Sequence, residues 1–273
     1  MHLMIRKLAM TGVMVALLLT MLATAGPAAF ASGESQAHAT LRHTPRGTAT
    51  LSWNSESENL TVTIKLFGLA GNSTHPAHIH GGDCDDNGPI VYPLNNVVAN
   101  AAGDATVTTV IHEVEGGIPD GAWYVNVHNG PGLMPAAQFD PIACGNVLNP
   151  ARANSVVVSL GSTTAPNQAA SGSARLTLSG ETLTVVVTVS GVVPDSVHPA
   201  HIHAGSCESQ LPGSIVYPLN SLVGDANGNA KSRTVINDVE SIPQDAWYVN
   251  VHRSTDLTTQ TGFDPIACGN VEN

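Results

Sequence analysis

AWYVNVH, residues 122–128, shows how this chain is built, because the same seven residues return at 246–252. FDPIACGNV occurs at 139–147 and again at 263–271, so both motifs repeat at the same offset of 124 residues. Self-similarity at a fixed period marks a repeated structural unit. The sequence therefore predicts two tandem copies of one domain of roughly 110 to 120 residues, a size that can bury its own core.

Each copy has the residue pattern of antiparallel β-strands. Residues 47–71, GTATLSWNSESENLTVTIKLFGLAG, predict two strands around a polar turn, and residues 172–192 repeat the pattern with a tighter turn. The mature chain shows no sustained 3.6-residue apolar period, and its many Thr, Ser, Val and Gly residues suit pleated strands and tight turns. We therefore predict an all-β protein of two antiparallel sandwiches or flattened barrels.

The first 31 residues have the features of a secretory signal peptide. Arg6 and Lys7 precede an apolar run at 12–26, and Ala29-Phe30-Ala31 is a small-residue cleavage motif. The apolar run is short for a membrane span, which makes a retained membrane helix the weaker interpretation. We predict an exported protein, either secreted or held in the cell envelope, with no membrane span after cleavage.

The repeat also sets the expected domain boundaries. The first domain is expected at 32–149 and the second at 171–273, joined by a linker at 150–170 with a high content of Pro, Gly, Ser and Thr. Residues 156–160 of this linker are apolar enough to form the first strand of the second domain.

The mature chain is acidic. Without residues 1–31 it has 8 basic and 21 acidic residues, a net charge of about −13. Such a surface repels nucleic acids and anionic membranes, so neither is an expected partner. The expected partners are a metal ion and an extracellular or cell-envelope protein.

The four cysteines, Cys84, Cys144, Cys207 and Cys268, allow three disulfide pairings. The repeat favours Cys84–Cys144 and Cys207–Cys268, one bridge per domain, and an oxidising compartment would preserve both. No two cysteines are close in sequence, which argues against a CxxC-type zinc or redox site.

A cluster of histidines recurs with the repeat, since HPAHIHGGDC at 75–84 returns as HPAHIHAGSC at 198–207. Side chains alternate between the two faces of a strand, so His78, His80 and His128 are expected on the face away from the core. A His-x-His pair with a third histidine from a neighbouring strand forms a ligand set suitable for copper or zinc. The candidate metal ligands are His78, His80, His128, His201, His203 and His252, with His75 and His198 as further candidates.

The alternative is that these histidines bind nothing. A lone His-x-His in a β-protein is more often solvated surface than a ligand pair, and a duplicated domain also inherits residues without function. The distal histidine of matching orientation, together with a cysteine in the same loop, favours metal binding. His112 is a weaker candidate because Asn237 stands in its place in the second copy.

The order GTATL, LTVTIKLFGL, HPAHIHGG, GPIVYPL and WYVNVH resembles the CHRD (chordin-type) domain of exported bacterial and extracellular animal proteins, over both copies. A more distant resemblance is to copper–zinc superoxide dismutases, which also have a His-x-His strand, a cysteine in the following loop and a C-terminal Ala-Cys-Gly. These resemblances imply a Greek-key β-sandwich. They also imply that the six histidines correspond to copper ligands and the two cysteine pairs to structural bridges.

The sequence also departs from the dismutases in two ways. Neither 81–94 nor 204–219 contains a histidine, so any metal site is expected to hold a single ion. The dismutase arginine three residues before the C-terminal cysteine is replaced by Pro141 and Pro265, and only Arg253, in the second copy, could substitute for it.

Three functions are compatible with these patterns. We favour a non-catalytic exported protein with one copper or zinc site per domain, acting in metal capture or as a binding module at the cell envelope. The second is a copper-only, dismutase-like enzyme, disfavoured by the missing arginine and the acidic surface. The third is a structural module without metal.

Overall fold

The computed structural model describes residues 33–273 except Asn87 and Pro212. The expected signal peptide and its cleavage site therefore lie outside the described residues. In the part of the chain that is described, no helix is long and apolar enough to cross a membrane.

The first half of the described chain contains eight strands and one short helix, and the second half repeats this order. The elements of the first half are β1 (Ser35–His43), β2 (Arg46–Asn54), β3 (Asn59–Phe67), β4 (Thr74–Gly81), β5 (Ile90–Val98), β6 (Ala105–Ile111), β7 (Trp123–His128), α1 (Ala136–Phe139) and β8 (Pro141–Val147). Those of the second half are β9 (Ser155–Leu160), β10 (Ser171–Ser179), β11 (Thr182–Ser190), β12 (Val197–Ala204), β13 (Ile215–Val223), β14 (Asn229–Ile236), β15 (Trp247–His252), α2 (Gln260–Phe263) and β16 (Pro265–Asn270).

Alternating side chains explain the strands and their packing. In β3 the apolar residues Leu60, Val62, Ile64 and Leu66 are all buried, while the residues between them are not. The alternation turns one face of the sheet inward, because successive side chains of a strand point to opposite sides. Strand β11 repeats the pattern in the second copy.

The first copy is a sandwich of two four-stranded antiparallel sheets. One sheet has the order β6-β3-β2-β9 and the other β5-β4-β7-β8, and their inner faces share one apolar core. Strands β3 and β6 are neighbours although β4 and β5, which lie between them in sequence, belong to the facing sheet. This is the Greek-key connection that the sequence resemblance implies.

The second copy has the same strand neighbours, but its two sheets are continuous. The order is β13-β12-β15-β16-β1-β10-β11-β14, so a single eight-stranded sheet wraps around the second apolar core. Strand β1 provides the continuity because it pairs with β10 along seven residues and with β16 at Arg42 and His43. The all-β prediction of two tandem antiparallel sandwiches is confirmed.

The two copies exchange their first strands. Strand β1 comes before the first copy in sequence but completes the second sandwich, where Ala37, Ala39 and Leu41 are buried in the core. Strand β9 comes before the second copy but pairs with β2 of the first copy, from Gly47↔Leu160 to Ser52↔Ser155. The expectation that residues 156–160 join the second domain is thus corrected: β9 buries Val158 and Leu160 in the first core.

Both expected disulfides are present. Cys84 is bonded to Cys144 and Cys207 to Cys268, one bridge in each sandwich. Each bridge ties the loop after a histidine strand, β4 or β12, to the last strand of the same copy, β8 or β16. The loops that carry Cys84 and Cys207 therefore stay close to the outer face of the histidine sheet.

Candidate metal centre

The histidines of the first copy lie on two adjacent strands. Strand β4 pairs with β7 in the register Ala77↔Val127, His78↔Asn126, Ile79↔Val125 and His80↔Tyr124. The Ala, Val and Ile residues belong to the core, and the alternate residues lie on the opposite face of the sheet. The expected orientation of the histidines is therefore confirmed.

His78, His80 and His128 form a compact triad. One nitrogen from each ring lies within 4.8 Å of the others, a spacing at which the three could hold a metal ion. His78 Nδ1 is 3.2 Å from His128 Nε2. The ring centroids are separated by 5.2 to 6.0 Å.

The second copy repeats this arrangement. His201, His203 and His252 also place one nitrogen each within 4.8 Å of the others. His201 Nδ1 is 3.1 Å from His252 Nε2, nearly the separation in the first triad.

Backbone carbonyls orient two rings of each triad. The Nδ1–H groups of His80 and His128 donate to the carbonyl oxygens of Gly88 and Phe139, at 2.8 and 2.5 Å. His203 and His252 donate in the same way to Gly213 and Phe263, at 2.9 and 2.6 Å. Gly88 and Gly213 lie in loops, and Phe139 and Phe263 end the short helices α1 and α2. A ring whose Nδ1 carries the proton offers the lone pair of Nε2, which is how proteins orient metal-binding histidines.

Two of these Nε2 atoms are buried without a partner. Within the described residues, neither His80 Nε2 nor His203 Nε2 makes a hydrogen bond. Buried polar groups are nearly always paired, so an orphaned acceptor aimed at two other imidazoles fits a metal ligand better than a structural residue.

The triads are more buried than a solvated surface would be. The six histidines are between 0 and 8% exposed, although they lie outside the apolar cores. In the first copy Tyr124 stacks on His80 with centroids 5.0 Å apart, and the Phe139 ring lies 5.1 Å from His128. The interpretation as freely solvated surface histidines is therefore wrong.

Burial keeps His78, His128 and the three histidines of the second triad neutral near pH 7. Desolvation, followed by the mutual repulsion of the rings, lowers the pKa of His78 and His201 to about 4. Desolvation also lowers the pKa of His252 to about 4, against the opposing hydrogen bond to Phe263, and it lowers the pKa of His128 and His203. Neutral imidazole is the form that binds metal.

The further candidates His75 and His198 lie outside both triads. His75 Nδ1–H donates to the carbonyl oxygen of His128 at 2.9 Å, and its Nε2 lies 2.7 Å from the Ser73 hydroxyl. His198 makes the equivalent contacts with His252 and Ser196. With both ring nitrogens engaged, these histidines position the backbone of a triad member. His112 is also outside the triads, with its Nδ1 2.8 Å from Asn59 Oδ1.

Sequence reasoning missed the residues that support the triads. Tyr124 and Tyr248 stack on His80 and His203, and the sequence patterns did not identify either as a stacking partner. Their repetition within WYVNVH was the available signal. The carbonyl groups of Gly88 and Phe139 carry no signal of their own, because any residue has one.

Arg253, the residue considered as a replacement for the dismutase arginine, is engaged elsewhere. Its guanidinium forms a salt bridge with Asp140 of the first copy and is mostly buried. Asp264 adds a further negative charge nearby. An arginine engaged in a buried salt bridge is poorly placed to attract a diffusing anion.

A family model for the CHRD domain matches the chain twice, at residues 28–131 and 153–256. The chain belongs to the CHRD family. Both matches contain a complete histidine triad, since His128 and His252 fall just inside their C-terminal limits. A search of curated proteins gave no significant match. The CHRD copies here are thus two sandwiches with exchanged first strands, each with one histidine triad.

Proposed function

We propose that this CHRD protein binds one copper or zinc ion in each domain through His78, His80 and His128 and through His201, His203 and His252. The observation that carries the proposal is the set of three nitrogens within 4.8 Å, two of them oriented by backbone carbonyls. Three imidazoles suit both metals, and neither requires a carboxylate. The residues fit a single ion per domain.

We further propose that the protein is exported and acts outside the cytosol, in metal capture or as a metal-dependent binding module of the cell envelope. The two disulfides support this location, since such bridges persist in oxidising compartments. The acidic surface favours cations over nucleic acids as partners.

The first test is metal content. The chain from Ser32, with its disulfides formed, is exposed to equal copper and zinc, dialysed and analysed for bound metal. We expect about two equivalents on the unaltered protein, since each triad would hold one ion. We expect almost none on a variant with His78, His80, His201 and His203 replaced by Ala.

A matched control replaces His38 and His112 by Ala, since both are exposed histidines outside the triads. This variant should keep the full metal content. Absence of bound metal on the unaltered protein, or equal metal on the two variants, would overturn the proposal and leave a structural module.

A further inference from the structure

A cavity opens beside the second triad, at the contact between the two copies. This seam cavity, of about 240 Å³, is lined on the second-copy side by His203, Tyr248, Asn250 and Phe263. Gly71 and Ala101 of the first copy close it from the other side. The cavity is therefore a property of the two-copy chain, since each copy supplies only part of its wall.

The seam is held by side chains that the first copy lacks. Gln210 lies in a loop two residues longer than its first-copy counterpart. Its side-chain amide donates to the carbonyl oxygen of Leu69 at 2.9 Å, and its backbone N–H donates to the carbonyl oxygen of Ala102 at 3.1 Å. Gln260 donates to the carbonyl oxygen of Thr74 at 2.9 Å, and Ala136 stands in its place in the first copy.

The longer loop also changes the tyrosine beside the triad. In the first copy the Tyr124 hydroxyl accepts a hydrogen bond from the Gly88 backbone N–H at 3.1 Å. The Tyr248 hydroxyl makes no such bond to any residue that the structure describes. Since Tyr248 lines the seam cavity and its ring stacks on His203, its hydroxyl is available as a donor there.

Two further polar atoms at the cavity have no partner. His203 and Asn250 are each only 3% exposed, and among the described residues neither His203 Nε2 nor Asn250 Oδ1 is hydrogen-bonded. Leaving buried polar atoms unpaired costs free energy, so such atoms mark a place where a ligand or an ion completes the site.

Charge balance indicates the class of ligand. Three neutral imidazoles leave both positive charges of a divalent ion uncompensated, and none of the described residues that line the seam cavity is a carboxylate. A buried charge is stable only when it is paired, so an anion is favoured as the next ligand of the ion. The Tyr248 hydroxyl could donate to that anion.

We propose that the seam cavity is a binding site for a small monovalent anion that coordinates the metal ion of the second triad. The inference rests on the metal function proposed above. It predicts that the ion of the second triad binds the anion more tightly than the ion of the first triad. The reason is that the cavity wall formed by Gly71 and Ala101 lies beside the second triad.

The test uses the full mature chain loaded with copper(II), with azide as the probe anion and the azide-to-copper charge-transfer absorbance as the readout. Copper content is measured first. On the unaltered protein, azide should bind one of the two ions at least tenfold more tightly than the other.

Ala101→Trp fills the cavity from the first-copy side without touching a histidine, and it should weaken the tighter azide binding at least tenfold. The matched control is Ala226→Trp, the same exposed turn position in the second copy, which should leave azide binding unchanged. Tyr248→Phe should weaken the tighter binding several-fold, while Tyr124→Phe should not.

Two copper ions with equal azide affinity, or an Ala101→Trp variant that binds azide normally, would overturn the seam site and leave the metal function standing. A protein that retains neither copper nor zinc would overturn both. Copper retained in Ala101→Trp shows that any loss of azide binding arises from the filled cavity and not from unfolding.

Discussion

His75 and His198 show how a buried histidine can support the proposed metal site without belonging to its triad. Each ring joins the start of its strand to the carbonyl group of the distal triad histidine, His128 or His252. Supporting partners of this kind hold a ligand's backbone and ring in position. Because the ring must stay neutral to fit its buried site, it also makes the fold sensitive to acid.

The pKa of His75 sets the first expectation about stability. Burial lowers this pKa to about 4. The unfolded chain takes up the proton below about pH 6.5, while the folded chain resists it until about pH 4. The contribution of the neutral His75 ring to the free energy of unfolding is therefore complete above pH 6.5. It is lost as the pH falls, by about 3 kcal/mol at pH 4.

We expect urea unfolding of the metal-free protein to show a free energy of unfolding that falls between pH 6.5 and 4. A His75→Gln variant should be less stable at pH 7 and should lose less stability over this range. His38→Gln, at an exposed histidine, should lose as much as the unaltered protein. Parallel pH curves for His75→Gln and His38→Gln would contradict the assignment.

At the level of elements, the exchange of β1 and β9 is the main departure from a simple tandem repeat. Only Thr44 and Pro45 separate β1 from β2, yet the two strands belong to different sandwiches. Ten residues, 161–170, separate β9 from β10. Each sandwich is therefore completed by a strand that precedes the other copy, and neither repeat is complete as a continuous segment of sequence.

This exchange predicts which fragments fold. A fragment of residues 46–161 contains β2 to β9, the whole first core and the Cys84–Cys144 bridge. A fragment of residues 33–149 follows the repeat boundary but lacks β9, which leaves an open edge at β2 and removes Val158 and Leu160 from the core.

We expect the 46–161 fragment to be monomeric with a cooperative thermal transition. The 33–149 fragment should be less stable by several degrees or should associate through its open edge. Circular dichroism and gel filtration of the two oxidised fragments provide the measurement. Equal stability of the two fragments would show that the first sandwich does not need β9.

At the scale of the whole molecule, the copies are joined by polar contacts as well as by exchanged strands. Arg253, which follows His252 of the second triad, forms a salt bridge with Asp140. Asp140 in turn follows Phe139, whose carbonyl oxygen orients His128 of the first triad. Burial raises the pKa of Asp264, which also faces Arg253. The Arg253–Asp140 pair thus links the segment that follows the second triad to the segment that orients His128.

Removal of one partner from a buried ion pair leaves an uncompensated charge. We expect Arg253→Met to lower the free energy of unfolding by about 3 kcal/mol. The loss should be smaller in an Asp140→Asn background, because less charge is then left unpaired. Arg175→Met, at an exposed arginine, is the control and should have little effect. Additive effects in the double-mutant cycle would contradict a direct Arg253–Asp140 interaction.

Much of this architecture follows from local patterns. The repeated motifs defined two copies, alternating side chains predicted the strands and the outward face of the histidines, and the repeat selected the correct disulfides. These inferences succeed because the side-chain period of a strand is two residues and the repeat reduces three cysteine pairings to one.

The sequence alone thus determined two β-sandwiches, their bridges and two histidine triads. Only the tertiary structure decided which sandwich takes each first strand, how deeply the triads are buried, and that a cavity joins the copies at one triad. The physical reason is degeneracy. Strands β1 and β9 can each offer similar backbone hydrogen bonds and an apolar face to either sandwich. Which sandwich each strand joins therefore depends on connection lengths and on the contacts of the whole chain.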